Sequence, residues 1–166
     1  AMVMSYQGTS EVEAVGHTVE VLQGMGTTVP RGLPPRPPER LLAGPRVTDS
    51  ASRFGFANPV LRWEAAAGAV SYTVEACGDA ECARLVSRAT GITATSWRAE
   101  GLSKGSYLWR VAAVSASGLD GYASRPRSLE LTSDQPDLEP PVVFLAIEGQ
   151  GAAESDNRVV LGPRAA

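Results

Sequence analysis

Short runs in which apolar and polar residues alternate recur every 8 to 14 residues, roughly, between positions 47 and 132. The longest run extends from Tyr107 to Ala113, and shorter runs centre on Leu61, Val74 and Trp97. A period of two places every second side chain on one face of a strand, so each run predicts a β-strand. Because no helical period separates these runs, the chain is expected to adopt an all-β fold, an antiparallel β-sandwich.

The aromatic residues of these runs predict where the core lies. Trp63 and Trp109 share the alternation of their apolar neighbours. We therefore expect Trp63 to be buried between two sheets together with Tyr72, Tyr107 and Val111, because large rings contribute most of a core's buried area.

Cys77 and Cys82 are the only two cysteines of the chain, and four residues rich in Gly and Asp separate them. This gap suits a tight hairpin, with Cys77 on the outward side of its strand. It does not fit a CxxC redox or zinc motif, and the single histidine, His17, lies far away in the sequence. The pair therefore predicts a structural disulfide, which implies an oxidising compartment and an exported protein.

The segments that flank residues 47–132 differ from them in composition. Residues 1–29 form one segment, in which residues 5–29 read as strands with a turn at Gly16 and His17, too few to fold without a partner sheet. Residues 30–46 contain six prolines and predict an extended polyproline II spacer, with a PxxP ligand for an SH3-like partner as the alternative. Residues 133–166 begin with a second proline-rich spacer.

Two strand candidates, residues 142–147 and 159–161, come after that second spacer. They are either the opening of a further β module or strands that dock back on the preceding domain. The opening residues of the chain resemble a boundary, and we interpret the chain as a piece of a longer protein.

The central segment resembles a fibronectin type III domain. The resemblance rests on the runs LRWE (61–64), AVSYTV (69–74) and GSYLWRV (105–111). Trp63 and Tyr72 match the two aromatic residues that anchor the core in that family. Leu102 and Tyr107 match the corner before strand F, but they stand five positions apart, one fewer than usual, which leaves the corner's hydrogen bond open.

The first 29 residues resemble the C-terminal strands of a FecR-type domain. The match lies in YQGT (6–9), VEAVG (12–16), VEV (19–21) and GMGTTV (24–29), followed by Gly32 and a proline-rich exit. Such domains occur in Gram-negative envelope proteins, where some transduce signals and others stand beside peptidoglycan-binding modules. The resemblance implies a periplasmic or cell-surface location.

The sequence carries no recognisable catalytic motif. GxSxG, HExxH, the Walker loop and GxGxxG are all absent, so we expect no enzyme activity and no cofactor. The acids Asp134, Asp137 and Glu139 suit calcium, but their interleaved prolines favour a solvated linker. A net charge of -3 without a basic tail argues against nucleic acid, and no apolar run approaches the length of a membrane span.

Two classes of function remain. The first is a non-catalytic interaction or spacer module of a multi-domain envelope protein, such as a FecR-type signalling or scaffold protein. Its partners would be neighbouring domains or other envelope proteins. Its binding face would be a sheet edge or the loop 115–122, where Leu119 and Tyr122 offer apolar contact beside Asp120. The alternative is a carbohydrate- or peptidoglycan-binding module in which Trp97 stacks on sugar rings.

Overall fold

The computed structural model describes residues 1–135, which contain strands and no helix. The all-β prediction is confirmed, whereas the two-layer sandwich stays a prediction. The strand candidates at 142–147 and 159–161, with Asp137 and Glu139, lie outside the described residues. The strands are β1 (Met2–Ser5), β2 (Ser10–Ala14), β3 (His17–Val21), β4 (Met25–Thr28), β5 (Glu39–Arg40), β6 (Arg53–Phe54), β7 (Val60–Arg62), β8 (Ser71–Cys77), β9 (Leu85–Ile92), β10 (Ser96–Arg98), β11 (Gly105–Val114), β12 (Asp120–Ala123) and β13 (Arg127–Leu131).

The largest sheet, here called the main sheet, has the strand order β6-β13-β11-β8-β9, with β12 also paired to β11. Its pairs are antiparallel except β13 with β6, which run parallel. Strands β7 and β10 form a separate antiparallel pair. Strands β12 and β13 are separate, because Pro126, which lies between them, has no backbone N–H to donate and interrupts the ladder.

The core joins the inward face of the main sheet to residues of β7 and β10. Trp63 lies at its centre, with its ring 5.4 Å from Tyr72 and 6.5 Å from Trp109. The buried members are Leu61, Trp63, Tyr72, Val74, Ala76, Ala99, Leu102, Trp109, Val111, Ala113, Leu129 and Leu131. The alternation of β8 and β11 therefore predicts their inward faces correctly.

The burial predicted for Trp63 is confirmed, whereas Tyr107 differs from expectation. Tyr107 packs against the core but is only half-buried, because its hydroxyl reaches outward and donates to the carbonyl of Ser103 at 2.8 Å. The short spacing between Leu102 and Tyr107 left undecided whether the tyrosine would form this hydrogen bond, and the structure shows that it bonds to a residue four positions earlier. Among the described residues, Trp63 buries its indole Nε1–H without a hydrogen-bond partner.

The N-terminal residues form two small sheets. Strands β1, β4 and β5 make one sheet, and β2 with β3 makes a hairpin. The hairpin turn is Val15–Gly16, one position earlier than predicted, and both residues have positive φ, as a tight two-residue hairpin turn requires. Strand β1 is not predicted by the alternation, and it pairs with β4 over four residues.

The proline-rich segment differs from a solvated spacer. Glu39–Arg40 pairs with β4, and Pro35 and Leu41 are buried. The carbonyl of Leu42 accepts a hydrogen bond from the amide of Tyr122 at 2.9 Å. The proline count indicates an extended backbone. The leucines that follow the prolines are apolar and are more stable out of water, so the segment packs against β4 and β12. Residues 1–135 belong to one compact unit.

None of the secondary-structure elements over residues 1–135 is a helix long and apolar enough to cross a membrane.

Candidate functional site

A cavity of about 550 Å³ opens on the face of the main sheet opposite the core, between that sheet, β12 and the N-terminal residues 4–7. We call it the outer cleft. Its lining comprises Met4, Tyr6, Gln7, Thr73, Glu75, Arg88, Arg110, Ala112, Asp120, Gly121, Tyr122 and Ala123. Its volume lies within the range of about 300 to 1,000 Å³ that is typical of small-ligand sites.

Strand alternation supplies the floor of the outer cleft. Since Val74 and Val111 face the core, their neighbours Glu75 and Arg110 must face the opposite side. The register places Arg110 directly opposite Glu75, and Glu75 directly opposite Arg88. Three charges of alternating sign therefore stand in a row across β11, β8 and β9.

Ion pairs connect these charges to one another. Both Nε and Nη2 of Arg110 lie 2.8 Å from Oε1 of Glu75. Arg88 bridges the two acids, with Nη1 3.7 Å from Oε2 of Glu75 and Nη2 3.2 Å from Oδ2 of Asp120. Thr73 donates its hydroxyl to Oδ1 of Asp120 at 3.2 Å. Two guanidinium groups and two carboxylates thus make the floor formally neutral.

Two tyrosines form the wall of the outer cleft. The rings of Tyr6 and Tyr122 meet edge to face with centroids 5.5 Å apart. The Tyr6 hydroxyl donates to the backbone carbonyl of Asp120 at 3.0 Å. Burial raises the pKa of Tyr6, and the nearby carboxylates of Asp120 and Glu75 raise it further. The neutral phenol is the form that this contact holds.

Close backbone packing joins the proline-rich segment to β12, and β4 to Leu119. A Cβ on Gly121 would lie 2.5 Å from the carbonyl oxygen of Leu42, and one on Gly44 would lie 2.7 Å from that of Ala123. Leu119 sits under Gly26, where an added Cβ would lie 3.1 Å from Leu119 Cδ1. Only glycine permits these approaches, so the two parts of the chain meet backbone to backbone.

The disulfide does not line the outer cleft, but Sγ of Cys82 lies 4.0 Å from Oε1 of Glu75, which does. Cys77 and Cys82 are bonded, with Cα atoms 5.0 Å apart, which confirms the predicted pairing. Cys77 lies on the face opposite the core, as its place in the alternation predicts, but its side chain is buried. The carboxylate of Asp79 accepts hydrogen bonds from the amides of Ala83 and Arg84 at 2.8 and 2.7 Å, and these bonds lower its pKa.

The structure places the predicted interaction residues in different environments. Asp120 and Tyr122 line the outer cleft. Leu119 does not offer the expected apolar contact, because it is 2 % exposed and packs beneath the N-terminal strands. Trp97 is half-buried and packs against the core, and it does not line the outer cleft.

Sequence reasoning missed Tyr6, Glu75, Arg88 and Arg110. The signal for Glu75 and Arg110 was present in the alternation, whose outward positions carry opposite charges. Tyr6 had no such signal, since its contact with Asp120 spans 114 positions of the sequence. Over residues 1–135, no group of three or more His, Cys, Asp or Glu side chains suits a metal ion.

A scan against protein-family models found none that matches this chain. A search of curated proteins likewise found no match. The geometry of residues 1–135 is therefore the basis for assigning a function.

Proposed function

We propose that this chain is a non-catalytic interaction and spacing element of a multi-domain cell-envelope protein. The observation that carries the proposal is the packing of the N-terminal strands and the proline-rich segment against the main sheet in one compact unit. A unit whose parts meet through glycine contacts holds its two ends at a set separation, as a spacer requires. The fibronectin type III and FecR resemblances belong to this proposal.

The proposal includes an exported location, periplasmic or at the cell surface. The disulfide is compatible with export, because such bonds persist in oxidising compartments. Partners would be neighbouring domains of the same protein or other envelope proteins. Asp120 and Tyr122, which line the outer cleft, remain the candidate contact residues.

A distance measurement between the two parts of the chain tests the spacing function. Spin labels attached through an unnatural amino acid at Val15 and Leu85 leave the disulfide intact, and these side chains are 62 % and 49 % exposed. Pulsed electron resonance of the wild-type protein should give one narrow distance distribution. The same pair in a Gly121→Ala background should give a broader one, because the added methyl group collides with Leu42.

A broad distribution in the wild-type protein would overturn the spacing function. A second pair of labels at Leu85 and Val70, both exposed and both within residues 47–132, serves as the control. That distance should stay narrow in both backgrounds, since neither site lies on the N-terminal strands.

A further inference from the structure

The floor of the outer cleft offers hydrogen-bond donors and acceptors side by side. The side chains of Arg110 and Arg88 are 32 % and 45 % exposed, and those of Glu75 and Asp120 are 18 % and 27 % exposed. Each charged group therefore keeps part of its hydrogen-bonding surface turned to the cleft while it pairs with its neighbour. A guanidinium carries five N–H donors, and a carboxylate accepts at two oxygens, so the pairs do not exhaust either group.

The charge balance of this floor selects against ionic ligands. A bound anion would lie beside the carboxylates of Glu75 and Asp120 as well as the arginines, and a bound cation would lie beside the arginines as well as the acids. Attraction and repulsion then offset each other, so an ionic group gains little from its charge in return for losing its hydration. A hydroxyl group instead donates to a carboxylate and accepts from a guanidinium at the same time.

The wall of the outer cleft adds apolar contact to this polar floor. Tyr6 is 39 % exposed, and Tyr122 stands edge to face against it. Aromatic rings pack against the C–H faces of a ligand, and the Tyr6 hydroxyl remains hydrogen-bonded to the carbonyl of Asp120. Two hydrogen bonds hold the wall in place: the Tyr6 hydroxyl donates to the carbonyl of Asp120, and the amide of Tyr122 donates to the carbonyl of Leu42. The cleft is therefore formed before a ligand arrives, which lowers the entropy cost of binding.

We infer that the outer cleft is a binding site for a neutral, polyhydroxylated ligand, a sugar of one or two rings. The site goes beyond the proposed spacing function and does not depend on it. It differs from the Trp97 platform predicted from the sequence, because Trp97 packs against the core and does not line this cleft.

Nuclear magnetic resonance of the ¹⁵N-labelled protein tests the inference through the side-chain N–H signals of Arg88 and Arg110. Glucose, glucuronic acid and glucosamine are matched probes, since they share one ring and differ in charge, and cellobiose extends the ring by one unit. Glucose and cellobiose should shift both signals in a saturable way at millimolar concentration. Glucuronic acid and glucosamine should bind more weakly than glucose.

Variants separate this cleft from the rest of the surface. Arg88→Gln should weaken glucose binding about tenfold, the loss of roughly one charge-assisted hydrogen bond. Arg31→Gln, which removes an exposed arginine outside the cleft, should bind as the wild type does. Trp97→Phe should also leave binding unchanged. If Arg88→Gln does not fold, Tyr6→Ala tests the wall instead and should weaken binding as well.

Three results would overturn the inference. They are no shift at tens of millimolar for glucose and cellobiose, tighter binding of either charged probe, or equal binding by Arg88→Gln and Arg31→Gln. The spin-label distances do not enter this test, so its failure leaves the spacing function standing.

Discussion

A substitution at Gly121 tests directly how the proline-rich segment is held against β12, because Gly121 lies in close contact with Leu42. In Gly121→Ala the new Cβ would lie 2.5 Å from the Leu42 carbonyl oxygen and 3.0 Å from its Cβ. The backbone at Gly121 is not in the left-handed region, so the effect is steric and not conformational. Both contacts involve the backbone or a Cβ, which cannot rotate away.

The expected cost has three contributions. Overpacking of a tight contact costs about 1 to 3 kcal/mol. The adjacent hydrogen bond from Tyr122 to Leu42, 2.9 Å long, is worth about 1 kcal/mol if it is lost. Replacing glycine stiffens the unfolded chain and returns about 0.4 to 1 kcal/mol. Gly121→Ala should therefore destabilise the fold by about 1 to 3 kcal/mol.

Urea denaturation followed by tryptophan fluorescence measures this cost, and hydrogen exchange of the Tyr122 amide reports the local contact. Gly55→Ala is the matched control, because its backbone is also outside the left-handed region and the nearest atom to the new Cβ is 4.0 Å away. That variant should be neutral or slightly more stable. Equal midpoints for the two variants, with Tyr122 exchange unchanged, would show that this contact does not fix the proline-rich segment to β12.

The core, the disulfide and the outer cleft give four further predictions. Trp63→Ala should lower the free energy of unfolding by about 3 to 5 kcal/mol through the cavity it leaves, and a loss below about 1 kcal/mol in urea would contradict its central place in the core. Thiol titration of the denatured, unreduced protein should find no reactive thiol, and two thiols per chain would disprove the Cys77–Cys82 bond. Glu75→Gln should destabilise by about 1 to 2 kcal/mol in urea at low salt, since Glu75 is 18 % exposed and joins two arginines, and wild-type stability would show that these pairs contribute nothing. The raised pKa of Tyr6 means that its neutral phenol stabilises the fold, so this part of the free energy of unfolding should be present below pH 10.0 and be lost as the pH rises through the folded pKa. In urea denaturation across that pH range, Tyr6→Phe should remove this fall in the free energy of unfolding, and the same fall in Tyr6→Phe as in the wild type would contradict the prediction.

The sequence by itself determined the local order of this protein. Alternation at Tyr72 and Val74 sets which side chains share a face, because the period of two is a property of the extended backbone alone. The same holds for the disulfide, since the gap between Cys77 and Cys82 closes a hairpin without help from distant residues. Alternation alone therefore predicts which side chains of β8 and β11 face the core.

Only the tertiary structure decided what the outward faces do. Glu75 and Arg110 become a paired floor through strand register, and Tyr6 reaches Asp120 across 114 positions. Leu119, which the sequence predicts to be a surface contact, is covered because Gly26 lets strand β4 approach it. Periodicity is local and states which face a side chain takes, whereas the neighbour that covers or completes that face depends on long-range pairing that no local pattern encodes.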